Sequence, residues 1–316
     1  MHTTGLARLR TFAHEAADQR NLAWTLTWLV LCIDALWVLL AGWSVSGRGV
    51  AAIAWAVAVF FAPLAIGRYR RDLRIQTTVR AAALLIVFQA AGATLSYLVI
   101  STNAPLFDAP LAAWDSALGF DWLAMHTWVQ SQPWARLTLR VAYHSGILQL
   151  AFVILFLGFT GRTERLQEFM RLFILTTLVT IVVSGILPAG GTWKHYASAG
   201  PFDVSFLSHF ELLRDGSMHD IPLTLKMQGL ISFPSLHAAM ALQFIHAVRG
   251  TRLLPGFVVL DAAMLVSTPV TGGHYVVDVL AGAALVFGLI ALDRRRSAGP
   301  RAAETTVAPG VGAMQP

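Results

Sequence analysis

Residues 272–292 read GGHYVVDVLAGAALVFGLIAL, and this stretch decides the fold. From Tyr275 to Leu292 it carries no charge except Asp278. At about 1.5 Å per residue such a run approaches the ~30 Å hydrocarbon core of a bilayer. Comparable runs lie at Leu22–Trp43, Val50–Ile66, Ala81–Ile100, Val141–Thr160, Phe169–Leu187, Phe233–Val248 and Leu253–Pro269. The pattern predicts eight spans, with Phe233–Val248 the shortest crossing. The expected fold is an all-α, polytopic membrane helical bundle. In lipid every backbone hydrogen bond has to be met internally, which helices achieve and open sheets do not.

Composition agrees with that reading. Of 316 residues 56% are hydrophobic and 13% charged, with a mean hydropathy of +0.62; soluble domains carry roughly 25% charged residues. The net charge of +6 and pI near 10.1 would suit a nucleic-acid binder, but the basic residues are sorted by side. The N-terminus, Gly67–Arg80, Gly161–Arg171, Arg249–Arg252 and the C-terminal tail hold 17 of the 23 Lys and Arg residues. Alternating spans put all of these segments on one face. The positive-inside rule makes that face cytoplasmic, with both termini there, and the partners it implies are membrane lipids with anionic headgroups rather than nucleic acid. The expected location is a bacterial-type inner (plasma) membrane. Cys32, the single cysteine, lies inside the first span and allows no intrachain disulfide.

The predicted organisation is a cytoplasmic segment at 1–21, a membrane domain at 22–292, and an Ala-, Gly- and Pro-rich disordered cytoplasmic tail at 293–316. Two outward loops, 101–140 and 188–232, are longer than turns. The former carries Trp114, Trp122, Trp128 and Trp134 among Asp108, Asp115 and Asp121, which suits one or two interfacial helices with an aromatic belt at headgroup depth. The latter begins Pro188-Ala189-Gly190-Gly191-Thr192 and holds both lysines of the chain, Lys194 and Lys226.

The chemistry-bearing residues cluster near the C-terminus. His274 and Asp278 are four apart, so a helix starting at the histidine would put imidazole and carboxylate on one face, the arrangement that orients a nucleophilic or basic histidine. His237 follows Phe233-Pro234-Ser235-Leu236 at the start of another apolar run. There it could donate or accept a proton beside amides able to hold an anion. Taken alone, Pro234-Ser235 is equally a helix-start signal. Two histidines and an aspartate at a membrane surface suggest phosphoryl transfer. The Gly272 and Gly273 amides, the Ser235 hydroxyl, Lys194, Lys226 and Arg214 are candidate phosphate ligands. His144, beside Tyr143, is either a satisfied bundle histidine or a pocket-lining one. His195, His209, His219 and Asp220 match no compact metal spacing, so no metal is expected. Asp34, Asp261 and His246 lie within spans and could form the relay of a proton-coupled or lipid transporter, although no inverted repeat accompanies them.

The paired motifs resemble the second and third signatures of the type 2 phosphatidic acid phosphatase superfamily. The wording Phe-Pro-Ser-Leu-His and His-Tyr-Val-Val-Asp is most similar to the branch containing inositol phosphorylceramide synthases. The resemblance covers mainly Pro188–Leu292. It implies a helical core, a lipid phosphate or phosphodiester substrate, and a phosphohistidine mechanism needing neither metal nor cofactor. His274 would be the nucleophile, Asp278 its orienting partner and His237 the general acid. Three features depart from the pattern. Ser267-Thr268 stands where the third motif opens Ser-Arg, Leu236 stands where a glycine precedes the second-motif histidine, and no Lys-x6-Arg-Pro motif is present.

Overall fold

In the computed structural model, residues 3–199, 208–224 and 227–298 are described, with side chains from 22 to 295 within them. They form α1 (Thr3–Leu40), α2 (Gly47–Phe61), α3 (Gly67–Arg70), α4 (Leu73–Ile100), α5 (Asp108–Ala117), α6 (Trp122–Ser131), α7 (Pro133–His144), α8 (Gly146–Phe159), α9 (Thr163–Ile186), α10 (Thr192–His195), α11 (Ser208–Arg214), α12 (Leu236–Ala247), α13 (Leu254–Thr271) and α14 (Val276–Ala298). The only extended pairing among the described residues is a two-residue parallel bridge, β1 (Ser44–Val45) with β2 (Asp220–Ile221). The chain is an all-α membrane bundle.

Local chemistry sets the helix boundaries. Asp72 caps α4 by accepting from the amides of Arg74 and Ile75 at 2.8 and 3.4 Å, and Ser46 caps α2 through the Gly49 amide at 3.2 Å. Pro133 and Pro255 stand in the first turns of α7 and α13, where a missing N–H costs nothing. α12 sits centrally, packed on α8, α9, α13 and α14, while α4 packs on α1, α2, α8 and α9. Phe88, Leu157, Ile174, Phe244 and Met264 fill the space between them without exposure. Ile147, Leu148 and Val259 face outward in the open, as expected where lipid rather than water covers the surface.

Six described helices are long and apolar enough to cross a membrane, and a seventh crossing results if the bent α7–α8 pair counts as one. Two spans differ from the sequence expectation. Phe233–Val248 becomes α12, twelve residues or about 18 Å, short of a crossing, because Ser235 caps it late and Gly250, at φ +67°, turns the chain soon after its end. Val141–Thr160 is not one straight helix: α7 begins at Pro133 and meets α8 across Ser145 at 46°. α14 runs six residues past the expected boundary at Leu292, to Ala298.

Two sets of ion pairs tie α9 to its neighbours, one to α14 and one to the end of α12 away from His237. Arg171 of α9, 6% exposed, grips Asp293 of α14 with Nη2 at 2.7 and 2.8 Å from the two carboxylate oxygens. Glu168 of α9 accepts from both His246, at 2.8 Å, and Arg249, at 2.6 Å. His246, a member of the conjectured relay, is thus held by a structural carboxylate.

Candidate active site

His274 lies just before α14 rather than inside it, so Asp278 reaches it by a different geometry from a shared helix face. Asp278 sits in the first turn of α14, and its Oδ2 turns back to accept the Tyr275 amide at 2.9 Å, as the acidic member of a capping box does. The same oxygen accepts the Ser232 hydroxyl at 2.9 Å and stands 3.2 Å from His274 Nδ1. Nδ1 also lies 2.9 Å from the Ser232 carbonyl oxygen. A carbonyl can only accept, so Nδ1 carries a ring proton, and in the neutral ring the lone pair is on Nε2. No described residue hydrogen-bonds Nε2. His274 is 4% exposed and Asp278 fully buried.

His237 stands in the first turn of α12, its ring centroid 6.3 Å from that of His274. Tyr143, at the end of α7, stacks on it at 4.1 Å with the planes 18° apart, and His144 packs edge-on against Tyr143 at 5.4 Å. Burial, with the nearby His274 and His144 imidazoles, holds His237 well below the ordinary imidazole range, so it is neutral before substrate arrives. Ser235 is fully buried and works as the cap of α12: its Oγ accepts the Ala238 amide at 3.3 Å, and its own amide donates to the Asp278 carbonyl at 3.0 Å. The amides of Leu236 and His237 have no acceptor among the described residues.

The glycines serve close approach. Gly273 has φ +70°, and a Cβ there would overlap the Trp193 indole; a Cβ on Gly272 would stand 2.5 Å from Tyr143 Cε2. The Gly272 amide donates to the Thr268 carbonyl at 3.1 Å, a bond it would have to exchange to hold a phosphate. Across the loop, the Thr192 amide donates to the Gly273 carbonyl at 2.8 Å, which docks α10 against the histidine loop.

Two carboxylates that sequence reading left in an interfacial belt hold this assembly together. Asp108 accepts the Gly190 and Gly191 amides at 3.0 and 2.9 Å and the Tyr275 hydroxyl at 2.9 Å. Burial and the Asp108 charge push the Tyr275 hydroxyl up, so it stays a donor. Asp115 accepts the Val276 and Val277 amides at 2.8 and 2.9 Å, satisfying the open N-terminus of α14. Trp122, also expected in the belt, is 1% exposed; it donates to the Pro269 carbonyl at 2.9 Å and stacks on His126 and Tyr196. Trp114, Trp128 and Trp134 are the exposed ones.

The predicted basic ligands gather separately. Lys194 pairs with Glu211 and lies over the Phe210 ring at 5.2 Å, and Arg214 covers the same ring at 5.5 Å. Lys226 lies outside the described residues. His209 bonds the Tyr97 hydroxyl at 2.7 Å, His219 rests edge-on against Trp43, and Asp220 accepts from Ser44 at 2.7 Å. Among the described residues no three metal-ligating side chains converge.

A histidine fixed as a lone-pair donor, a second histidine opposite and a buried carboxylate behind are the parts of a displacement at phosphorus. A sequence model of the PAP2 superfamily matches residues 109–292, more than half of the chain. The chain belongs to the PAP2 superfamily. Membership supports a phosphatase-type or phosphotransferase-type enzyme, and the matched region runs from α5 to α14, taking in both histidine motifs and Asp115. No curated protein and no solved structure matches the chain.

Proposed function

We propose that this chain is an integral membrane lipid phosphatase or phosphotransferase that works through a phosphohistidine at His274 on the outward membrane face. The observation that supports it most directly is the Ser232 carbonyl 2.9 Å from His274 Nδ1, which leaves Nε2 free to attack. Nε2 bonds to phosphorus as the bond to the lipid alcohol breaks, Asp278 stabilises the cationic ring, and His237 delivers a proton to the departing oxygen. In the second step a water or alcohol oxygen attacks phosphorus, His237 takes its proton, and the P–N bond breaks. The amides of Leu236 and His237, without an acceptor among the described residues, suit the equatorial oxygens; Lys194, paired with Glu211, and Arg214 add positive charge only by turning toward the site. His144, beside Tyr143, lines the same mouth. The chemistry as written needs no metal or cofactor.

An alcohol acceptor, as in the inositol phosphorylceramide synthase-like branch, uses the same residues. One experiment separates these readings: purified protein is given a 32P-labelled lipid phosphate with and without inositol or other alcohols. Inorganic phosphate release supports the phosphatase, and label in a new diester supports the transferase. Failure to trap acid-labile label on the parent protein while a His274→Ala control is equally blank would sink the phosphohistidine. Uptake of intact lipid without turnover would favour the transporter.

A further inference from the structure

We infer that a lipid phosphate reaches His274 sideways from the bilayer, its hydrocarbon chain lying in a groove between α7 and α13 and its phosphate drawn along a basic edge of α7. This rests on the phosphotransfer reading above. The groove is a shallow trough of about 770 Å³, open over much of its wall. Thr138 is the only polar residue among its nine lining residues; Leu137, Val141, Val259 and Leu260 set its character. Leu137, Val141 and Val259 are 63, 58 and 72% exposed, so the groove is open along its side, where lipid chains lie.

On α7 the groove's lining stops one residue before the site. Ala142 lines it, and the next residue, Tyr143, stacks on His237. On the other wall, Ala263 is nine residues, or about 13 Å of helix, before Gly272, against which Tyr143 also packs. The same helix supplies charge. Arg136, Arg140 and His144 are spaced by four and share a face of α7; all three are exposed, and neither arginine is ion-paired among the described residues. An apolar trough whose α7 wall stops beside Tyr143, next to a basic stripe that runs to His144, fits a ligand that is anionic at one end and hydrocarbon beyond it. Neither a free phosphate nor a neutral lipid uses both halves.

The test compares dioleoyl phosphatidate with p-nitrophenyl phosphate, which has no chain, on the full-length protein in nanodiscs. A Cβ on Gly256 meets nothing within 4 Å, and Val259 is exposed, so Gly256→Phe and Val259→Trp fill the groove without disturbing the core. Each is expected to lower kcat/KM for phosphatidate about tenfold or more while aryl phosphate turnover stays within about twofold of the parent. Val258→Trp, elsewhere on α13, is expected to leave both substrates unchanged. Arg136→Gln and Arg140→Gln are each expected to raise KM for phosphatidate about fivefold. Equal loss on both substrates, or no loss on phosphatidate, overturns the groove. If the parent turns over neither substrate, the phosphotransfer reading fails by itself, and binding still tests the groove. A bimane on Val259→Cys in a Cys32→Ser background is expected to be quenched by chain-brominated phosphatidate well beyond chain-brominated phosphatidylcholine; equal quenching overturns it.

Discussion

The Asp108 carboxylate accepts the Tyr275 hydroxyl at 2.9 Å across 167 residues of sequence, and the same group holds the Gly190 and Gly191 amides. One side chain of α5 thereby fixes both the loop that follows α9 and the loop that carries His274. Tyr275→Phe removes one of three donors and should cost about 1 kcal/mol with a small fall in kcat. Asp108→Ala strands buried partners at about 1–3 kcal/mol each and should lower the melting temperature and kcat together. Unchanged values for Asp108→Ala would show that the tie is dispensable.

Gly273 is required for two separable reasons, its φ of +70° and the indole of Trp193 in the space a Cβ would need. Gly273→Ala should shift His274 and lower kcat by ~10²-fold, the scale of an ångström-level misplacement. Adding Trp193→Ala relieves the overlap but not the left-handed backbone, which still costs an alanine roughly 1 kcal/mol. Partial recovery in the double variant is therefore expected; full recovery would make the backbone conformation irrelevant.

The histidine pair and Asp278 were legible in the sequence because their spacing is local and they stand at the mouths of apolar runs. The reason given by spacing was only half right: Asp278 reaches His274 by folding back as a cap, not along a helix face. Asp108, Asp115, Ser232, Tyr143 and Trp193 left no comparable trace. They act through backbone amides, one carbonyl and ring faces brought together from distant segments, and such partners impose no residue pattern along the chain. The bundle was legible from hydropathy, and Phe233–Val248 already stood out as the shortest run; hydropathy did not show that only twelve of its residues are helical, since apolar flanking residues outside the helix extend the run.

The arginine sorting predicts which face carries the site if α12, short as it is, still carries the chain from one face to the other. With Cys32 removed, a cysteine at Ser217 should react with an impermeant thiol reagent in intact cells, and one at Ser297 should not. Labelling only at Ser297 would put the histidines on the cytoplasmic side.

His237 starts neutral, because burial and its imidazole neighbours keep it well below the ordinary range, yet the proposed role needs it protonated. An anion bound between the two histidines has to raise it, so binding takes up a proton. Tungstate, whose charge is constant across neutral pH, should bind about tenfold more weakly per pH unit of increase, as linkage to one proton requires. His237→Gln should flatten that dependence. A flat profile in the parent would mean that His237 does not carry the proton.

The two histidines should separate by leaving group. His274→Ala removes the attacking nitrogen and should abolish turnover of every substrate along with any trapped phosphoenzyme. His237→Ala should slow turnover of a lipid phosphate by ~10²–10⁴-fold, because an alkoxide leaves poorly without a proton. An aryl phosphate leaves as a stable phenolate, so His237→Ala should recover much of its loss on that substrate while His274→Ala recovers none. Asp278→Asn should fall between them: the amide can still meet the Ser232 hydroxyl, but the negative charge behind the ring is gone, and the cationic phosphohistidine loses its stabilisation. Circular dichroism and size exclusion matching the parent would exclude a folding defect. Equal rescue of both histidine variants would assign the two rings interchangeable roles, which the Ser232 carbonyl at His274 Nδ1 and the Tyr143 stack on His237 argue against.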